Sequence, residues 1–341
     1  MPTLPRVSVR TLGGTIAMAR LRPDQAAMPA LDAGDLIAAV PQLAEIAHVD
    51  TASVCNVPSA SLELSTLFGL LDDLHRACDA GADGAVITMG TDTLEELACA
   101  LEFLWSRAEP VVVTGAMRTA DATSADGPAN LVAAVSVAAS PAATDRGVLV
   151  VMNDEIHSGQ TVRKTHSSNT ASFASPGTGP IGHLEEGAVS FTTARQERST
   201  VPARSVTPIP QVALLRVAWG ADTRLLVSAA RDYDGIVIEA LGGGHVPEWW
   251  MPELRVAARR IPIVMTSRTG NGAVLRSTYS FPGSERDLIN AGVLPAGRLD
   301  GIRARILLTL CLTLSSDVAT VLSEFSRHTR PSSSDLERGK S

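Results

Sequence analysis

Two short turns carry hydroxyls to places where a nucleophile is useful. Thr11-Leu12-Gly13-Gly14-Thr15-Ile16-Ala17 follows a strand-like run near the start of the chain. Met89-Gly90-Thr91-Asp92-Thr93-Leu94-Glu95-Glu96 closes a second such run. Each sets a threonine just past the carboxyl end of a strand, where open α/β sheets build their ligand sites. Gly13 and Gly14 let the backbone turn sharply and expose Thr15, and Asp92 puts a carboxylate beside the Thr91 hydroxyl. Two hydroxyls, one beside a carboxylate, fit nucleophilic attack on a small polar substrate, a chemistry that calls for no metal and no nucleotide cofactor. A free hydroxyl is a poor nucleophile and needs a base. Lys164, in Thr161-Val162-Arg163-Lys164-Thr165, is the lysine in these motifs that could serve, provided that burial or a neighbouring Thr-Asp crowds it. Each feature also has a plain structural use: the Gly-Gly turn as a chain reversal, Thr91-Asp92 as a helix cap, Lys164 as a solvated lysine.

Other polar segments are less pointed. Gly115-Ala116-Met117-Arg118, then Ser124-Ala125-Asp126-Gly127-Pro128, forms a long crossing rich in small residues, of the kind found near sites or subunit contacts. Arg118 and Asp126 could equally form a salt bridge or a helix cap. Gly242-Gly243-Gly244-His245 lacks the GxGxxG spacing of a phosphate loop, which leaves His245 as a hydrogen-bonded loop histidine or a general base. The remaining histidines show no ligand spacing, and Trp249-Trp250 reads as helix packing. Cys55, Cys78, Cys99 and Cys311 are scattered without a CxxC pair, so free thiols in a reducing cytosol are expected rather than disulfides or zinc.

Positioning such turns takes a sheet. Apolar runs of strand length alternate with helical patterns, the rhythm of βα units in a parallel sheet. Strands are expected at Arg6–Leu12, Ala85–Met89, Pro110–Thr114 and Gly147–Asn153, with helices at Asp35–Val40, Leu62–Ala80, Thr93–Arg107 and Pro128–Ala139. Thr93 and Glu96 have capping-box spacing, which would leave Thr91 and Asp92 free for other work. Asp126-Gly127-Pro128 suits a helix start. The pattern lapses over Thr192–Pro210 and then resumes on a smaller scale. Strands at Gln211–Val217, Gly235–Leu241 and Ile261–Thr266 alternate there with helices at Ala221–Asp232 and Pro247–Arg259, and one or two helices close Gly301–Ser323. The expected organisation is an α/β chain: a larger N-terminal domain over 1–192, a linker over 193–209, a smaller α/β domain over 210–330, and a disordered Ser-rich tail over 331–341.

Composition agrees with this class. A chain of 341 residues, 45% apolar, is long enough for two domains. A formal charge of −7 argues against nucleic acid as the main partner. No run of 18 apolar residues suggests a membrane span. With Met1 leading into a strand and no basic-then-apolar leader, the chain is read as cytoplasmic.

Taken in order, the motifs resemble the bacterial-type L-asparaginase family, which includes the glutaminase-asparaginases. The resemblance runs from about Val7 to about Glu324 and rests on GGTIA at 13–17, TMGTDTLEE at 88–96, GAMR…SADGP at 115–128, GVLVVMND at 147–154 and Arg163-Lys164-Thr165. It implies a larger N-terminal α/β domain with a parallel-rich sheet, a smaller C-terminal one, and a homotetramer of two intimate dimers with active sites shared between subunits. It implies catalytic roles for Thr15, Thr91, Asp92 and Lys164, and Ser59 as the serine that binds the substrate carboxylate. Backbone N–H groups at the Gly13–Thr15 and Gly90–Asp92 turns, Gly14 and Gly90 among them, would hold the oxyanion. His245 falls where relatives often carry an asparagine near the substrate amine, and Glu285, in Gly283-Ser284-Glu285-Arg286, loosely matches an acid lent by the neighbouring subunit.

Three departures accompany this resemblance. The loop from Met18 to Leu31 lacks the tyrosine that many relatives carry, Ala60 stands for a glutamine, and Met89 for a polar residue. The implied activity is hydrolysis of L-asparagine to L-aspartate and ammonia through a threonine acyl-enzyme, without cofactor or metal. A glutaminase-asparaginase, an ammonia-releasing amidotransferase subunit and a non-catalytic amino-acid sensor are the alternatives.

Overall fold

The computed structural model describes residues 3–19, 26, 28–29 and 31–329. The tail Pro331–Ser341 and much of the Met18–Leu31 loop lie outside the described residues. The chain divides into two compact units, Met1–Arg198 and Ser199–Ser341.

The first unit is built on an eight-stranded sheet. From one edge to the other its strands are Ala188–Phe191, Gly182–Glu185, Glu155–Ser158, Val148–Met152, Val111–Thr114, Gly84–Thr88, Arg6–Thr11 and His48–Ser53. The last five run parallel to one another. Gly84–Thr88, Val111–Thr114 and Val148–Met152 are buried along their whole length, as parallel strands covered on both faces must be. Val7, Val9, Val86, Val112, Leu149 and Val151 share one apolar cluster with Leu131 and Val135 of the helix Gly127–Ala138. The two-residue period turns Ala85, Ile87, Val113 and Val150 to the opposite face.

The order of the parallel strands decides where a ligand can sit. After Arg6–Thr11 the chain lays His48–Ser53 on one side and then returns to place Gly84–Thr88 on the other. The strand order reverses between Arg6–Thr11 and Gly84–Thr88. Their connections leave in opposite directions there and open a crevice at the carboxyl ends. Thr15 and Thr91 follow these two strands.

The antiparallel extension is not part of the βα rhythm read from the sequence. Val148–Met152 reverses through Asn153 and Asp154, both at positive φ (55° and 62°), into Glu155–Ser158. That turn conformation twists with the strands and favours Asn and Asp. Gly182–Glu185 and Ala188–Phe191 add a second hairpin at the edge.

The second unit has a four-stranded parallel sheet in the order Val212–Arg216, Gly235–Ala240, Ile263–Ser267, Leu294–Pro295. Its helices include Arg224–Asp232, Met251–Ala257, Glu285–Asn290, Gly301–Leu312 and Val318–Arg327. The first residues of the stretch read as a linker, 193–209, pack on the first unit. Arg198 donates to the carbonyls of Trp105 and Arg107 at 3.0 and 2.9 Å, and Arg146 donates to the carbonyl of Thr193 at 3.1 Å.

Glu102, the last residue of the helix Leu94–Glu102, is 3% exposed and accepts the Val148 N–H at 2.6 Å. Burial pushes its carboxyl up to about 7, against a partial pull downwards from the Val148 N–H and Arg198. Unfolded, the group ionises near the ordinary glutamate value. Its burial therefore costs nothing below that value, costs progressively more as pH rises towards 7, and is constant above. Two to three pH units correspond to about 3 kcal/mol. Glu102→Gln keeps an oxygen for Val148 and removes the ionisation. Denaturant titrations at pH 5 and pH 8 should show the variant gaining about 2–3 kcal/mol relative to the parent between the two. A difference independent of pH would show that Glu102 does not titrate in this range.

Candidate active site

Glycines let three loops meet. Gly14 has φ 86° and ψ −177°, and a Cβ there would overlap the backbone of Gly90. A Cβ on Gly90 would stand 2.6 Å from Ser59 Oγ, and one on Gly115 would stand 2.5 Å from the Met89 carbonyl oxygen and 3.2 Å from Thr91 Cγ2. Real Cβ atoms do not approach other atoms that closely, so the Thr15 turn, the Thr91 turn and the Ser59 loop touch because these positions have no side chain.

Thr15 opens a single 3-10 turn, Thr15–Ala17, closed by the Ala17 N–H on the Gly14 carbonyl at 2.9 Å. Its side chain is half-buried, and no described residue hydrogen-bonds its hydroxyl. Thr91 is 5% exposed. Lys164 Nζ donates to Thr91 Oγ1 at 2.9 Å and to Asp92 Oδ1 at 2.7 Å. The lysine side chain is only 15% exposed, whereas that of Asp92 is 67% exposed. Lys164 is held from behind: its strand Arg163–Lys164 pairs antiparallel with Phe173–Ala174, and its backbone N–H donates to Glu95 Oε2 at 2.9 Å. Lys164 is thus not the solvated lysine that its local sequence permits. Thr91, Lys164 and Asp92 form one continuous hydrogen-bonded line in the crevice between the two strands.

Ser59 sits in the 3-10 turn Ser59–Ser61 and is 5% exposed. Its Oγ accepts the Asp92 N–H at 3.2 Å, which leaves its own proton to donate. Its carbonyl accepts the Thr93 hydroxyl at 3.0 Å. That bond corrects the capping-box reading, since Thr93 makes no side-chain cap on Leu94–Glu102. The hydroxyl ties the Ser59 loop to the Thr91 turn instead, and Glu95 and Glu96 in the first turn complement the helix dipole.

The Gly115 crossing is braced in a similar way. Asp126 does not cap its helix and makes no ion pair with the Arg118 guanidinium. Its carboxylate accepts the backbone N–H groups of Met117 and Arg118, both at 2.9 Å, while the Arg118 guanidinium donates to the Ser124 carbonyl at 2.8 Å. Asn130, 3% exposed, joins two loops: its Nδ2 donates to the Gly115 carbonyl and its Oδ1 accepts the Asn153 N–H, each at 3.0 Å. The sequence reading missed it. The available signal was a lone amide in the Gly127–Ala138 helix, whose other polar side chain is Ser136. Of the two substituted positions near the site, Met89 is wholly buried and Ala60 is exposed.

His245 and Glu285 belong to the second unit, and there they find each other. His245 Nε2 lies 3.3 Å from Glu285 Oε2, and the imidazole meets Tyr279 and Phe281 edge-on, each at 5.1 Å. Glu285 is fully buried, and its Oε1 accepts the Tyr279 N–H at 2.6 Å. Burial alone would raise its carboxyl, but N–H groups of Tyr279, Thr278 and its own residue, with His245, outweigh that and hold it below the ordinary value. The carboxylate is turned into its own unit, where it braces the 278–281 loop.

Comparison with known proteins identifies the family to which this fold belongs. Residues 6–197 match the family model described as Asparaginase, N-terminal, and residues 211–325 match that of the Glutaminase/Asparaginase C-terminal domain. L-asparaginase 2 of Escherichia coli (strain K12) is 34% identical over 336 residues, covering 95% of this chain and 94% of that protein. A glutamyl-tRNA(Gln) amidotransferase subunit of Methanococcus vannielii is 32% identical over 309 residues, covering 86% of this chain and 71% of that one. The crystal structure of a probable cytoplasmic L-asparaginase from Campylobacter jejuni superposes with a TM-score of 0.83 at 31% identity, covering 94% of this chain and 99% of that one. With both family models matched along most of its length, and relatives above 30% identity end to end, the chain belongs to the asparaginase family.

Proposed function

We propose that this protein is an amidohydrolase that converts L-asparagine to L-aspartate and ammonia through a threonine acyl-enzyme. The observation that carries the reading is the line from Lys164 Nζ to Thr91 Oγ1 and Asp92 Oδ1, beside the Thr15 turn at the strand-order reversal. Thr15 Oγ attacks the side-chain carboxamide carbon, and the carbonyl oxygen takes on negative charge. N–H groups of the Gly13–Thr15 turn and of Gly90 and Thr91 are assigned to that charge, the Asp92 N–H being held by Ser59 Oγ; losing one such donor typically costs about 3 kcal/mol. The C–N bond breaks as the amide nitrogen takes the proton given up by the Thr15 hydroxyl, and nitrogen leaves as ammonia. Water, deprotonated along the Thr91–Lys164–Asp92 line, then cleaves the ester to aspartate and restores Thr15. Ser59 donates to the α-carboxylate, and exposed Asp92 pairs with the α-ammonium. Gly14 and Gly90 act through their backbone. His245 and Glu285 have no step in this mechanism. In this reading the protein works in the cytoplasm as a homo-oligomer, a tetramer of intimate dimers, with a small amino-acid amide as substrate and no cofactor.

The amidotransferase relatives favour a second reading, a subunit that releases ammonia for use on a charged tRNA. The acidic charge of −7 weighs against RNA as a partner. Ammonia release from free amino acids separates the two. A pocket that closes over the shorter side chain discriminates by about 10- to 200-fold per methylene. With Ala60 offering no polar arm, substrate is gripped chiefly by Ser59, Asp92 and backbone groups. Initial rates should therefore favour asparagine over glutamine, with a Michaelis constant nearer millimolar than micromolar and equal amounts of ammonia and aspartate formed. Preference for glutamine, or saturation at micromolar asparagine, would show that other residues grip the substrate. Asparagine binding without ammonia release would make the protein a sensor.

A further inference from the structure

Three arginines line one small cavity of the first unit. It measures about 110 Å³ and is walled by Glu102, Arg146, Thr161, Arg195, Glu197 and Arg198, among others. Arg146 is aimed by its neighbours: Nε donates to the Ala142 carbonyl at 2.9 Å, Nη1 donates to the Thr193 carbonyl at 3.1 Å, and the guanidinium lies 3.8 Å over the Phe191 ring. Arg198 is fixed by the carbonyls of Trp105 and Arg107. Arg195 is exposed and makes no hydrogen bond to a described residue. None of the three forms an ion pair with a described carboxylate. Arg146 feels the cost, since burial and the like charge of Arg195 together lower its guanidinium from the ordinary value. The buried acid in the wall, Glu102, is engaged by the Val148 N–H and also feels the charge of Arg198.

Two held guanidiniums, Arg146 and Arg198, with the exposed Arg195 beside them and only Arg198 facing a carboxylate, Glu102, offer a planar oxyanion charged N–H groups around a partly closed space. We propose that this cavity binds a compact dicarboxylate, of about the size of a four-carbon diacid, at a site separate from the Thr15–Lys164 crevice. Arg146 and Arg198 present fixed N–H groups, and Arg195 closes over the ligand from the exposed side. The site adjoins the ribbon that holds Lys164. The Ser158–Val162 turn, stitched by the Thr161 and Val162 N–H groups on the Ser158 carbonyl, leads into Arg163–Lys164. Thr161 Oγ1 reaches Ser175 Oγ at 3.2 Å, next to the partner strand Phe173–Ala174. Ligand contact with Thr161 would stiffen that turn. The proposal does not rest on the catalytic reading, because its test measures binding rather than turnover.

Succinate is the probe, titrated at constant ionic strength into the full chain, with affinity read by calorimetry and location by hydrogen exchange. Succinate should bind and should protect peptides covering 158–162 and 193–198. Arg195→Gln should weaken binding by about tenfold to a hundredfold, the usual effect of losing a charge-assisted hydrogen bond. Arg259→Gln, an exposed control, should change nothing, and both variants should unfold at the parent's midpoint without probe. Protection confined to 11–16 and 88–92 would place succinate in the candidate active site and overturn the proposal. Equal binding by parent and Arg195→Gln would overturn it too, as would the same response to chloride. Tighter binding of inorganic phosphate than of succinate would overturn the assigned ligand class.

Discussion

Thr15→Ala is expected to abolish turnover, by about 10⁴-fold or more in kcat, while leaving the fold and asparagine binding nearly unchanged. The hydroxyl makes no hydrogen bond to a described residue, so its removal leaves no partner unsatisfied. The turn itself depends on Gly14 at φ 86° and on the Ala17 N–H, neither of which the substitution touches. Unfolding free energy should stay within about 0.5 kcal/mol of the parent. Substrate contacts in the proposed mechanism come from Ser59 and Asp92, so asparagine should still bind, measurable by calorimetry because the variant does not consume it. Substantial residual turnover with an intact fold would move the nucleophile elsewhere.

Lys164→Met should lower kcat by about 10²- to 10⁴-fold, the usual range for a lost proton-transfer group, with a much smaller change in the Michaelis constant. Methionine approximates the length of the lysine stem and fills the same largely buried channel. It removes the donor to Thr91 Oγ1 and Asp92 Oδ1. The strand pairing with Phe173 and the backbone bond to Glu95 are made by the main chain and persist. Asp92→Asn should behave differently, raising the Michaelis constant as well, because the exposed carboxylate is assigned to the substrate's ammonium. Steady-state kinetics of the two variants side by side checks this. Equal and mild effects in both would mean that the line is structural.

Much of the parallel core was legible because its physics is local. Arg6–Thr11, Gly84–Thr88, Val111–Thr114 and Val148–Met152 read as apolar runs of strand length and fall within a residue of their expected ends. The antiparallel edge was not legible as strands, since Glu155–Ser158 and Gly182–Glu185 are short and polar and take their pairing from the sheet. The Asn153-Asp154 pair was the available cue. Helices were overextended where tertiary contacts end them early: the expected Leu62–Ala80 starts only at Thr66, after the turn carrying Ser59, and Thr93–Arg107 stops at Glu102. In the candidate site, residue types pointed to Thr15, Thr91, Asp92 and Lys164, but only packing brings Lys164 across 73 positions to Thr91. The orientation of Glu285 could not be read from Gly283-Ser284-Glu285-Arg286, because it depends on His245 and the Tyr279 N–H, contacts made by folding. Thr93 shows the same limit, its spacing fitting a cap while its hydroxyl goes to Ser59.

The central claim is that the Thr15 oxygen forms the covalent bond to substrate. Peptide mass spectrometry of the unmodified protein, after reaction with a diazo-ketone amino-acid analogue, tests it most directly. The expected result is one label per chain, on the peptide containing Thr15, with asparagine protecting against its formation. A label on Thr91 alone would contradict the account, exchange the roles of the two threonines, and leave the Lys164 line attached to the nucleophile instead of the water.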